Sequence, residues 1–148
     1  MLRQVATDKL LEFAEHYADH IAEEWWEHIQ KNKRVPSYHS LPEKKAVPPA
    51  VSFYKNLKRI YHSDDLYGTI EEYFTDYAAA RHAEGISLHE AIYVLVMMRR
   101  HLWLSAEFQA LFTSALDIYQ SIESINRTVL ITDYATYVII REYKLLAG

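Results

Sequence analysis

Eight histidines in 148 residues are the side chains with the widest chemical reach in this chain. His16 and His20 stand four apart in a helical stretch and share a face, with Glu12, Glu23 and Glu24 near them. Such a pair holds zinc or a similar borderline metal once a third ligand arrives from elsewhere. A di-iron bundle takes Glu-x-x-His from two helices, and that tetrapeptide does not occur here. The pair therefore reads as a solvated helix face, and no metal site is expected. Haem needs one histidine aimed into an apolar pocket. His82, His89 and His101 are the helical candidates, with His62 as a distal group. His82 and His89 flank a turn, so His101, beside Leu102 and Trp103, is the cofactor-binding candidate.

His82 also invites comparison with histidine phosphotransfer domains, four-helix bundles in which lysine and glycine follow the phosphorylated histidine. In His82-Ala83-Glu84-Gly85 the glycine comes one residue early, and Glu84 has the wrong charge to stabilise a phosphoryl group. The chain has no cysteine, which removes disulfides, thiolate metal sites and cysteine nucleophiles. It has no glycine-rich phosphate loop and no Gly-x-Ser-x-Gly elbow. No catalytic residue is nominated, no cofactor is expected, and the chain is read as something other than an enzyme.

The elements that carry these residues are helical. Half of the residues are hydrophobic, enough for one globular domain over residues 1–148. All four prolines lie between Pro36 and Pro49, and the rest of the chain is free to be helix. A net charge of -4, without a concentrated basic face, argues against nucleic acid as partner. No signal peptide is visible, since acids occur throughout residues 1–30, and no run approaches the length of a membrane span. A cytoplasmic protein without membrane insertion is the expectation.

The spacing predicts a first helix over Arg3–Ile29, with Leu11, Ala14, Ala18, Ile21, Trp25 and Ile29 on one buried stripe. Residues 31–50 read as a long proline-containing connection. Helices follow over Ala50–Tyr61, Leu66–Ala83 and Leu88–Leu104. Ser105–Thr113 is less regular, and a last helix covers Ser114–Leu146. The sharpest punctuation lies between the third and fourth of these helices. Gly85 suits the left-handed conformation that closes a helix, and Ser87 with Glu90 spells a capping box. Arg99 falls on the inward side of its apolar helix and needs a partner, expected from an acid of the first or third helix.

In the last helix Ile118, Ile122, Ile125, Val129, Thr132, Thr136, Ile139, Tyr143 and Leu146 alternate steps of four and three. A seam sustained over about four heptads predicts pairing with a second copy, the alternative being the domain's own helices. The expected architecture is an all-α bundle of about five helices with a long C-terminal helix.

The first helix carries Glu24-Trp25-Trp26 and a variable proline-containing loop follows. Then Tyr77-Ala78-x-x-Arg81-x-x-x-Gly85-Ile86-Ser87-Leu88-x-Glu90-Ala91 leads to Leu95-x-x-x-Arg99-Arg100-x-Leu102-Trp103. In this pattern the chain resembles the N-terminal sensor domains of RsbR-type stressosome proteins, in the RsbRD-like branch. Similar modules head some bacterial sensor histidine kinases and PucR-like regulators. The resemblance implies a globin-like fold without haem and a homodimer. It also implies a signal passed through the C-terminal helix to a kinase, STAS or other regulatory output module. A haem or small-ligand sensor and a phosphotransfer bundle using His82 are the rival expectations.

Overall fold

The computed structural model describes residues 2–108 and 115–147. Among them are seven helices and no strand: α1 (Leu2–His16), α2 (Ala18–Lys31), α3 (Pro36–His39), α4 (Glu43–Tyr61), α5 (Leu66–Ala83), α6 (Leu88–Phe108) and α7 (Ala115–Ala147). The fold is an all-α bundle with a long C-terminal helix, as the proline distribution predicts. None of the described helices is long and apolar enough to cross a membrane.

The first expected helix is two. Its stripe from Leu11 to Ile29 is buried as predicted, but the helix is interrupted at Tyr17, which has φ -105° and ψ 22°. The amide of Tyr17 still donates to Phe13 O at 2.9 Å and Ile21 N to Tyr17 O at 3.0 Å, so the chain bends without losing its hydrogen-bond ladder. Neither glycine nor proline marks the place in the sequence.

The long proline-containing connection is a second correction. Most of residues 31–50 is helical: Pro36 opens the short α3, and α4 begins at Glu43 rather than Ala50. Pro48 and Pro49 lie inside α4. Each lacks the N–H that would bond the carbonyl four residues back. Those carbonyls belong to Lys44 and Lys45, both exposed residues, so water can take the place of the missing donor.

α5 runs over the span the sequence gives it. Asp65 caps it by accepting the Gly68 amide at 3.1 Å. α6 continues past Leu104 to Phe108, which makes helix of the first part of the irregular Ser105–Thr113 stretch; residues 109–114 lie outside the described residues.

α2 and α4 pack on the middle of α6 and fix its position with two buried bonds. Trp25 Nε1 donates to Val94 O at 3.0 Å, and the Tyr54 hydroxyl donates to Met98 O at 2.6 Å. Around them Phe53, Leu57, Ile70, Phe74, Leu95 and Val138 close one continuous core. α7 lies along the outside of this core, against α5, α1 and α6.

Candidate functional site: the long helix and the corner that holds it

The corner between α5 and α6 is built as its residues dictate. Gly85 has φ +80°, a conformation that glycine adopts without the Cβ clash other residues suffer. Around it Ile86 N donates to Arg81 O at 3.1 Å and Gly85 N to His82 O at 3.0 Å. These two bonds are the crossed pair of a Schellman ending.

The capping pair takes a different form from the one the spacing suggests. The buried Glu90 carboxylate accepts the Ser87 hydroxyl at 2.8 Å, the Ser37 amide at 3.0 Å and the Ser37 hydroxyl at 2.7 Å. Glu90 therefore ties α3 to α6. Burial pushes its pKa up, but the donors on Ser37 and Ser87 outweigh that and hold the carboxyl below its ordinary value.

α7 joins this corner at its far end. The Tyr143 hydroxyl donates to Ile86 O at 2.8 Å, and its ring meets His82 edge-on. Two residues earlier, Arg141 pairs with Glu71 of α5 at 2.6 Å. Tyr134 packs edge-on against Tyr67 of α5 and stacks on Tyr137. Ala135, Val138 and Ile139 are fully buried beneath these contacts.

The other half of α7 is different. Ile118 is 49% exposed, Tyr119 72% and Ile122 51%. Between this half and α1 and α6 lies an apolar cleft of about 180 Å³, lined by Leu10, Leu102, Trp103, Ile125 and Val129. The expected seam is thus not one outward stripe. Ile118 and Ile122 face out, Ile125, Val129 and Thr136 are half-buried, and Thr132 and Ile139 are buried inside the chain. The inward face also takes Ser121, Ser124, Thr128 and Ala135, one residue off the predicted register. The steps of four and three alone do not distinguish the two registers, because isoleucine and threonine alternate with small residues throughout.

Arg99 points toward α7, not toward the first or third helix. Its Nη1 donates to Thr132 Oγ1 at 2.6 Å and lies 3.6 Å from Asp133. This bond stands where the two halves of α7 meet.

The histidines are dispersed. His20 pairs with Glu24 at 2.8 Å on the exposed face of α2, and His16 and His89 are exposed. His101 is 3% exposed and meets His28 of α2 at 4.4 Å between ring centroids. Burial and the His28 charge lower its pKa to about 4, and its Nε2 has no hydrogen-bond partner. Among the described residues no three histidines or carboxylates converge in a way that would hold a metal ion.

No protein-family model, curated protein or solved structure matches this chain.

Proposed function

We propose that the chain is a non-enzymatic signal-input domain that works as a homodimer and relays its state through α7 to an output module, a kinase, STAS or other regulatory domain. The observation that carries this reading is the contrast along one continuous helix. The second half of α7 is fastened to the core, while the first presents Ile118, Tyr119 and Ile122 to the outside. Exposed apolar side chains grouped on one helix mark a surface that meets a partner. A second copy is the partner favoured, because Ile118 and Ile122, the outward members of the heptad steps, stand four apart as in self-pairing helices, while Thr132 and Ile139 pack within the chain. The resemblance to RsbR-type sensor domains points the same way. A bundle that orders α7 differently in two states would change how the two copies meet.

Sedimentation velocity tests it. Wild-type protein should run as a dimer at micromolar concentration. Ile122→Glu should run as a monomer with an unchanged melting temperature, since Ile122 lies outside the monomer's core. A wild-type monomer at high micromolar concentration overturns the proposal.

A further inference from the structure

α4 and α5 leave a second opening of about 270 Å³. Pro49 forms part of one wall, and Tyr73, Asp76, Tyr77 and Arg81 of α5 supply the other. The Tyr73 hydroxyl and Ser52 Oγ share a hydrogen bond of 2.7 Å between the two helices. Behind this opening lies a void too narrow for a water molecule, bordered by Trp25, Tyr38, Lys45 and Met98. Pro49, Tyr77 and Arg81 border both spaces and so form the partition between them.

Two polar groups in that partition have capacity left over. Tyr77 is buried, and its hydroxyl proton finds no acceptor: the Arg81 guanidinium beside it can only donate and makes no well-formed hydrogen bond with it. Leaving such a group unpaired costs stability, so it persists where something else selects it. Burial pushes the Tyr77 phenol well above its ordinary pKa, which keeps its proton available to an acceptor. Arg81 is also buried; its guanidinium carbon sits 5.1 Å from the centre of the Tyr77 ring. Its Nε donates to Glu84 Oε1 at 2.6 Å, which leaves the terminal amino groups for a further acceptor.

A bare anion fits poorly. Glu84 offsets part of the Arg81 charge and Asp76 adds a negative charge to the lining, so a carboxylate on Arg81 needs a positive group beside it, near Asp76. Asp76 and Arg81 are five residues apart on α5, about 7.5 Å along the helix. Apolar and aromatic surface from Pro49, Tyr73 and Tyr77 accompanies the two charges. A molecule with a carboxylate, a nearby ammonium and an apolar body matches all three.

We propose that the α4–α5 opening binds a small zwitterionic amino carboxylate, with the carboxylate on Arg81 and the Tyr77 hydroxyl, the ammonium on Asp76, and the apolar body against Tyr73 and Pro49. The site is linked to the helix that the input-domain reading assigns to relay. The Arg81 carbonyl accepts Ile86 N, and the Ile86 carbonyl accepts Tyr143 of α7. Only this use of the site rests on that reading. Binding is measured by calorimetry and dimerisation by sedimentation, so either can fail alone.

The experiment is isothermal calorimetry of the whole chain against L-phenylalanine, 3-phenylpropionate and 2-phenylethylamine, followed by the other proteinogenic amino acids. At least one amino acid should bind at micromolar to low millimolar concentration. Its analogues lacking the amine or the carboxylate should bind at least tenfold more weakly. Tyr77→Phe should fold as stably as wild type or better, because it deletes a hydroxyl without a partner, and should weaken binding about tenfold, equivalent to about 1.4 kcal/mol. Asp76→Asn, at an exposed position, should erase the advantage of the amino acid over the carboxylate analogue. The proposal is overturned if no amino acid binds at millimolar concentration, if the carboxylate alone binds equally well, or if Tyr77→Phe and Asp76→Asn bind as wild type does.

Discussion

The two halves of α7 share a helix but not a way of being held. From Tyr134 to Tyr143 the helix is tied to α5 and to the corner by an ion pair, an edge-on aromatic contact and a buried hydroxyl-to-carbonyl bond. From Ile118 to Val129 it borders a cleft and shows isoleucine and tyrosine outward. Specific polar contacts at the Tyr134–Tyr143 end fix its position on α5 and the corner. The lesson is that length and periodicity do not make a helix uniform. Its neighbours decide which stretch belongs to the core and which is left for something else.

The comparison breaks most completely if the fastened half is damaged. Val138→Asp puts a carboxylate at a fully buried position. It should cost about 4 kcal/mol or more and leave little folded protein in a thermal melt followed by circular dichroism. Tyr143→Phe keeps the ring and strands the Ile86 carbonyl; a loss of about 1.5 kcal/mol should appear in urea denaturation. Gly85→Ala should cost about 1 kcal/mol through backbone conformation alone, because no atom lies within 4 Å of the added methyl group. Gly85→Asn should cost less in the same denaturation assay.

A change of pH sharpens the contrast from the side of α6, on which the open half rests. The unfolded chain protonates His101 at its ordinary value of 6.5, and the folded chain only near 4. The folded pKa is the lower, so the unfolded state binds the proton first. Stability should therefore fall as pH drops from about 6.5 to about 4 and then level off with respect to this group. His101→Leu should flatten that part of a plot of melting temperature against pH. The least effect on folding belongs to Ile122→Glu in the open half, within about 0.5 kcal/mol in urea denaturation, even as it alters sedimentation.

Much of the frame was legible in the sequence. The stripe from Leu11 to Ile29, the limits of α5 and the left-handed Gly85 follow from periodicity and glycine stereochemistry, which are local. What was missed depends on contacts distant in sequence. The bend at Tyr17 has no sequence signal, and Pro48 and Pro49 suggested a connection because proline usually ends a helix. The partner of Arg99 lies 33 residues away on a helix whose face was assigned one residue off. Glu90 had a local role ready in Ser87, and its bonds to Ser37, 53 residues earlier, could not be read from spacing. Tyr77 and Arg81 stood in the sequence only as part of the motif Tyr77-Ala78-x-x-Arg81. That one hydroxyl would be unpaired became evident only with every neighbour in place.

The threonines of α7 have a mechanical consequence. Thr128, Thr132 and Thr136 each donate their hydroxyl proton to the carbonyl four residues back, at 3.0, 3.0 and 2.9 Å. A threonine occupied in this way has no proton left to donate to a neighbouring helix. Thr132 alone also receives a proton from outside, from Arg99 at 2.6 Å. The result is a stiff rod about 50 Å long with a fulcrum near its middle. A tilt of a few degrees imposed at Tyr143 would carry Ile118 in the opposite direction by an ångström or more, with no need for any residue between them to change its rotamer.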